Sequence, residues 1–89
     1  MTEYEIRGGE IRGLAKTLVL QFMQKNHDCK PGKNGLKLAQ IFRMCGFDWG
    51  EYEKATSSNQ QYWVVALVRE LECEGKIERD PSTKHWRLK

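Results

Sequence analysis

The hydrophobic period of the chain changes at Gly75, and this change limits the folds that the chain can adopt. Before Gly75, apolar residues recur at positions i, i+3, i+4 and i+7, namely Val64, Leu67, Val68 and Leu71. That spacing predicts an amphipathic helix with one buried side. After Gly75, apolar and polar residues alternate around Ile77, Trp86 and Leu88, as is typical of strands. The pattern therefore predicts a helix that ends at Gly75 and is followed directly by a β-hairpin.

The segment between the two predicted strands, Asp80-Pro81-Ser82-Thr83, has the composition of a type I turn. A hairpin with this loop is expected to place Ile77 opposite Trp86, with both side chains facing inward. The same register places Arg79 across from Lys84.

Three helices are expected before the hairpin. The first spans about Glu10 to Lys25, between Gly8-Gly9 and Asn26, and its apolar residues at helical spacing are Ile11, Leu14, Leu18 and Phe22, with Ala15 and Val19 beside them. The second spans Leu36 to Met44 and ends at Gly46. The third spans about residues 58–74, with a capping box formed by Ser57 or Ser58 together with Gln60 or Gln61. A short additional turn of helix is predicted at Asp48–Glu51.

Length and composition exclude several classes of protein. Eighty-nine residues, 39% of them hydrophobic, are expected to form one small domain. No apolar run approaches the roughly 20 residues of a transmembrane helix, and Met1 to Glu5 do not resemble a signal or transit peptide. The three cysteines, Cys29, Cys45 and Cys73, are odd in number and lack metal-ligand spacing. A cytoplasmic protein without membrane association, disulfides, metal or cofactor is therefore expected.

The net charge of +3 is distributed unevenly along the sequence. Residues 13–50 sum to +4 and residues 77–89 to +2, whereas residues 51–76 sum to −2. Two basic blocks thus flank an acidic segment that includes the end of the third helix.

The order of elements and several local motifs resemble the winged helix-turn-helix superfamily. The run Leu71-Glu-Cys-Glu-Gly-Lys-Ile-Glu-Arg-Asp80 is similar to the end of its third helix and the start of its wing, and His85-Trp-Arg-Leu88 is similar to its returning strand. Gly35–Ile41 is similar to the family's short strand and second helix. The resemblance implies an α+β winged helix, a three-helix core with a C-terminal β-hairpin wing over residues 13–89, after an N-terminal arm of residues 1–12.

The resemblance also implies double-stranded DNA as the partner and the helix over residues 58–74 as the recognition helix. Its outward residues are Ser58, Asn59, Gln61, Tyr62, Val65 and Arg69. Asn and Gln can bond the edge of adenine, Arg can bond guanine, and Ser suits phosphate. Alternatively, the serines and glutamines serve only to cap the helix.

The basic wing over residues 77–89 would contact phosphates or a minor groove. Its candidate residues are Arg79, Lys84, His85, Arg87 and Lys89, and Lys33 and Lys37 near the Gly32–Gly35 loop add a second candidate contact. An edge strand also carries Lys and Arg to prevent unwanted pairing, and a charged surface loop explains the lysines equally well.

Two features oppose a simple operator-binding protein. The connection from Gly46 to Ser57 is long for a helix-turn-helix, and the acidic residues at the end of the third helix, Glu70, Glu72 and Glu74, would repel phosphate. The aromatic region from Trp49 to Trp63, which includes Tyr52 and Tyr62, suits base stacking, the core or a protein partner. A protein-interaction winged helix is therefore the alternative to a small DNA-binding transcriptional or phage-type regulator.

No arrangement of residues points to catalysis. His27 and His85 are not part of a nucleophile motif, and the spacing of a phosphate-binding GxxxxGK[ST] loop is absent. We therefore expect a protein that is not an enzyme and that is a monomer or a weak dimer.

Overall fold

The computed structural model describes residues 1–47 and 62–89 and has an α+β architecture. In these ranges the elements are α1 (Glu3–Lys25), a 3-10 turn (His27–Cys29), α2 (Leu38–Met44), α3 (Tyr62–Cys73), β1 (Ile77–Arg79) and β2 (Trp86–Leu88). The two strands pair antiparallel. None of the helices within these ranges is long and apolar enough to cross a bilayer.

Helix α1 begins seven residues earlier than predicted. Thr2 caps it: the Thr2 hydroxyl accepts a hydrogen bond from the Glu5 N–H at 3.1 Å, and the Thr2 N–H donates to Glu5 Oε1 at 3.0 Å. This capping box satisfies free N–H groups at the helix start, and α1 continues through Gly8 and Gly9 although glycine disfavours a helix interior. The helix also runs without a break across the predicted boundary between residues 12 and 13.

The buried side of α1 agrees only in part with the predicted one, since Ala15, Val19 and Phe22 contact the core but the other predicted residues do not. Val19 and Met23 are fully buried, whereas Ile11, Leu14 and Leu18 are 68%, 73% and 42% exposed. Nearly all residues of α1 before Ala15 are exposed, although Arg12 still reaches Glu70 of α3.

Helix α3 contributes more buried residues to the described core than any other element, and its buried side is the one that the apolar spacing predicts. Val64, Leu67, Val68 and Leu71 are all buried. Helix α3 ends at Gly75, which has a φ of +75°, and the Lys76 N–H bonds the Leu71 carbonyl at 3.1 Å. That bond is typical of a glycine-terminated helix and directs the chain into β1.

The hairpin is confirmed, but its register differs from the predicted one. Ile77 pairs with Leu88, and Arg79 pairs with Trp86 instead of lying across from Lys84. The loop closes one residue later than expected, because the Asp80 N–H donates to the His85 carbonyl at 2.8 Å and Lys84 takes a left-handed φ of 66°. Both Ile77 and Trp86 are buried, as predicted.

Strand β2 is also joined to the segment before α2. The Leu36 N–H bonds the Trp86 carbonyl at 3.0 Å, and the Trp86 N–H bonds the Leu36 carbonyl at 2.8 Å. Leu36 therefore forms a β-bridge, and α2 begins at Leu38 instead of at the predicted Leu36. Gly35 allows this close approach, because a Cβ atom there would lie 2.6 Å from the Trp86 carbonyl oxygen.

The three cysteines differ in how deeply they are buried. Cys29 is fully buried and Cys45 is half-buried, whereas Cys73 is exposed. Burial raises the pKa of the Cys29 and Cys45 thiols to about 11. Both are therefore protonated at neutral pH and behave as small apolar groups.

The predicted features of residues 48–61 lie outside the described residues. These are the turn at Asp48–Glu51, the connection to Ser57 and the serine–glutamine capping box.

Two leucines in helices provide a matched test of the burial pattern. Leu71→Ala removes a fully buried side chain and is expected to lower the free energy of unfolding by about 2–5 kcal/mol. Leu14→Ala removes an exposed one and is expected to change it by less than about 0.5 kcal/mol. Urea denaturation followed by circular dichroism measures both; similar losses for the two variants would contradict the observed face of α1.

Two glycines with the same backbone conformation test the contact between Gly35 and Trp86. Gly32 and Gly35 have φ values of +79° and +78°, but only at Gly35 would a Cβ meet other atoms within 4 Å. Gly32→Ala is expected to cost about 1–2 kcal/mol for the left-handed backbone, and Gly35→Ala is expected to cost more. Thermal unfolding of both variants measures the difference, and equal shifts in Tm would show that the close approach contributes nothing.

Candidate nucleic-acid interface

A cleft of about 530 Å³ lies between the start of α2, the exposed side of α3 and the hairpin. Its described lining residues are Lys37, Leu38, Ala39, Val65, Arg69, Arg79, Thr83, Lys84, His85 and Trp86. Six of the residues predicted to contact DNA are thereby brought together: Lys37, Val65, Arg69, Arg79, Lys84 and His85. They come from three separate segments of the chain, so the fold and not the local sequence assembles this surface, which we name the basic cleft.

Trp86 organises the cationic side of the basic cleft. The guanidinium carbon of Arg69, on α3, lies 5.4 Å from the centroid of the Trp86 ring, and that of Arg79, on β1, lies 5.9 Å from it. Both distances are within the range of cation–π attraction. Since Trp86 is only 3% exposed, the core fixes the indole, and the indole in turn positions both guanidinium groups.

The described lining of the basic cleft contains cations and no carboxylate. Lys37, Arg79 and Lys84 make no ion pair with any carboxylate in the described parts of the chain. Arg69 pairs with Glu72 at 2.9 Å, one turn along α3. The cleft therefore has a positive potential that is only partly offset from within the molecule.

The loop that carries Lys84 is held by Asp80. Its Oδ1 accepts hydrogen bonds from the Ser82 N–H at 2.8 Å, the Ser82 hydroxyl at 2.7 Å and the Thr83 N–H at 3.0 Å. These bonds, first of all the one from the Thr83 N–H, together with Arg87 hold the pKa of Asp80 well below its ordinary value. The loop geometry is thereby set by a charged acceptor.

Arg87 lies on the opposite face of the hairpin from the basic cleft. It pairs with Glu78 at 2.7 Å and with Asp80 at 3.0 Å, and its side chain is only 17% exposed. Its Nη1 also donates to the Lys33 carbonyl at 3.4 Å. Side chains alternate between faces along a strand, so the basic residues of the predicted wing lie on both faces of the hairpin. Arg79 faces the cleft, whereas Arg87 forms ion pairs within the hairpin.

Lys33 and Lys89 do not contribute to the described lining of the cleft. Both are exposed, and the Lys89 N–H donates to the Lys76 carbonyl at 3.2 Å. These two lysines are therefore separate from the cations that converge on Trp86.

The acidic end of α3 is turned toward α1. Lys16, whose side chain is 16% exposed, pairs with Glu70 at 3.0 Å and also with Glu74. Arg12 adds a contact with Glu70 at 3.4 Å. The bond that Lys16 donates lowers the pKa of Glu74, and the bonds that Lys16 donates to Glu74 and Glu70 raise the pKa of Lys16. Neither glutamate lines the basic cleft, so their charges are offset at the α1–α3 contact.

His85 is half-buried at the side of the cleft. Its Nδ1 atom is buried and has no hydrogen-bond partner within the described residues. The described ranges also hold no group of three or more His, Cys, Asp or Glu side chains that could bind a metal ion.

Several predicted contact residues lie outside the described part of the structure. These are Ser58, Asn59 and Gln61, together with the side chain of Tyr62 and the aromatic residues Trp49 and Tyr52. Trp63 is described: it is 40% exposed, and its ring meets that of Phe47 edge-on at 5.1 Å between centroids.

Sequence reasoning missed the part that Trp86 plays in the cleft. Its burial was expected, but its pairing with Arg79 depends on a hairpin register shifted from the predicted one. Leu38, Ala39 and Thr83 were also missed, because neutral residues carry no charge signal. No local sequence signal marks the later closure of the loop, which the bond from the Lys84 N–H to the Asp80 carbonyl shows in the structure.

Comparisons of the chain with models of known protein families, with curated proteins and with solved structures found no match.

The pKa of Asp80 generates a prediction for acid stability. Its folded-state pKa is depressed from an ordinary value of 3.8, so its stabilising contribution is present above that value and is lost as the pH falls below it. Asp80→Asn keeps an oxygen acceptor but removes the charge, and we expect its Tm to fall less between pH 7 and pH 3 than that of the wild type. Thermal melts across this range provide the test, and parallel pH profiles would contradict the assignment.

Proposed function

We propose that the chain is a winged-helix module that binds double-stranded DNA, as transcriptional and phage-type regulators do. In this proposal α3 is the recognition helix and the hairpin of β1 and β2 is the wing. The order of the described helices and strands supports it. The bridge between Leu36 and Trp86 also supports it, because the resemblance implies a short strand directly before the second helix.

The basic cleft is the observation that carries the proposal. Lys37, Arg69, Arg79 and Lys84 converge there with no carboxylate in the described lining. Since phosphate neutralisation by Lys and Arg dominates non-specific DNA affinity, a surface that concentrates cations is the expected site of backbone contact. Lys37 and Lys84 are both exposed, and we assign them to the phosphates of a duplex resting on the rim.

The acidic residues of α3 are compatible with this assignment. Glu70 and Glu74 are paired with Lys16, on the side of α3 that contacts α1. A duplex at the basic cleft would therefore meet the cations of α3 and the wing, and the repulsion from the acidic end would be reduced by pairing and by distance.

The protein-interaction alternative has one observation in its favour. Trp63 is 40% exposed, and exposed tryptophans are frequent at interface hot spots. One exposed ring in the described part of this aromatic region is weaker support than four converging cations, so DNA is the function we propose.

Duplex binding and its dependence on salt test the proposal. We expect a fluorescently labelled duplex to bind at low ionic strength and to lose affinity steeply as salt increases. Lys84→Gln is expected to weaken binding severalfold and to reduce the slope of log K against log[salt] by about 1.

Lys25→Gln is the matched control, because it removes the same charge from an exposed lysine that does not line the cleft. It is expected to change affinity little. Absence of duplex binding at low salt would contradict the proposal, and equal losses in the two variants would contradict the assignment of the cleft.

A further inference from the structure

The size of the basic cleft limits what can enter it. A volume of about 530 Å³ lies within the range of roughly 300–1,000 Å³ that is typical of small-molecule sites. A DNA duplex can rest on the rim of such a cleft but cannot enter it. A single nucleotide, either free or at the end of a strand, is of a size to enter.

The lining of the cleft suits a molecule with one anionic end and an apolar body. Leu38, Ala39, Val65 and Trp86 supply the apolar part of the lining. The cations stand beside it: Lys37, Arg69, Arg79 and Lys84. This combination of apolar walls with a few charged groups is the usual composition of a ligand site.

Two arginines of the lining lie against the same buried ring. The guanidinium carbons of Arg69 and Arg79 are 5.4 and 5.9 Å from the centroid of the Trp86 ring, and both residues line the cleft. An anion bound in the cleft would therefore be attracted by two guanidinium groups. The planar donors of guanidinium match the oxygens of phosphate in pairs.

The charge balance favours a phosphate monoester over a diester. Three of the four cations, Lys37, Arg79 and Lys84, have no carboxylate partner within the described residues. A terminal phosphate carries about −1.5 to −2 at pH 7, whereas an internal phosphodiester carries a single charge. The terminal group therefore offsets more of the uncompensated charge.

We propose that the basic cleft binds a terminal phosphate monoester, carried by a nucleic-acid strand end or by a free nucleoside monophosphate. Arg69 and Arg79 contact the phosphate, and the apolar lining contacts the sugar and base. The strand-end form rests on the proposed DNA binding and makes it specific for ends; the free-nucleotide form does not depend on it.

Four probes separate these forms: AMP, adenosine, and a short blunt duplex with either 5′-phosphate or 5′-hydroxyl ends. By calorimetry we expect AMP to bind at least about tenfold more tightly than adenosine, a difference of about 1.4 kcal/mol. We expect the phosphorylated duplex to bind severalfold more tightly than the hydroxyl duplex. The preference for phosphate is expected to disappear in Arg79→Gln and to decrease in Lys84→Gln, while Lys25→Gln retains it.

Circular dichroism melts of each variant guard against loss of folding, and Lys84→Gln keeps the test valid if Arg79→Gln unfolds. Binding of AMP without any effect of the 5′-phosphate on duplex affinity would support the cleft as a nucleotide site and exclude strand ends. Duplex binding that ignores the 5′-phosphate, with AMP no better than adenosine, would overturn this inference and leave the proposed function standing. Failure of both duplexes and AMP to bind would overturn both.

Discussion

The burial of Trp86 is the constraint on which both the hairpin and the basic cleft depend. The backbone of Trp86 is bonded to Leu36 in both directions, and its strand partner is Arg79. The indole is 3% exposed and touches two guanidinium groups. One residue therefore joins the segment before α2 through its backbone and the wing and α3 through its side chain. Displacing Trp86 from the core would separate the three segments that supply the cations, even if each segment kept its secondary structure.

The charges of the described chain are sorted by the faces of its elements. On α3, Glu70 and Glu74 face the lysine of α1, whereas Arg69 faces Trp86. On the hairpin, Arg87 is compensated by Glu78 and Asp80, whereas Arg79 pairs with no carboxylate of residues 1–47 and 62–89. Glu70, Glu74, Glu78 and Asp80 are thus used in structural pairs and do not line the cleft, whereas Glu72 pairs with Arg69 of the lining. A modest net charge of +3 is compatible with a strongly positive local surface for this reason.

The elements that could be predicted from the sequence are those determined by local periodicity and glycine. Residue spacing alone predicts the apolar side of α3, its end at Gly75 and the hairpin that follows. The predicted element boundaries were wrong where the local pattern is ambiguous or where a contact with a distant residue determines the backbone conformation. Thr2 and Glu5 form a capping box that outweighs the two glycines after it. Leu36 is taken out of α2 by its bridge to Trp86, fifty residues along the chain, which periodicity cannot reveal.

The candidate site was predictable as a set of residue types but not as a geometry. The sequence predicts Arg79, Lys84 and Arg87 as one group of DNA contacts, because all three are basic and lie in adjoining segments. A loop that closes one residue later than predicted decides that Arg79 meets Trp86. The alternation of a strand then separates it from Arg87, which is held by Glu78 and Asp80. Counting basic residues in a wing therefore overestimates the number available to an anion. Arg79 is the wing arginine that shares a face with the buried tryptophan, and it is positioned by the core and pairs with no carboxylate of the described residues.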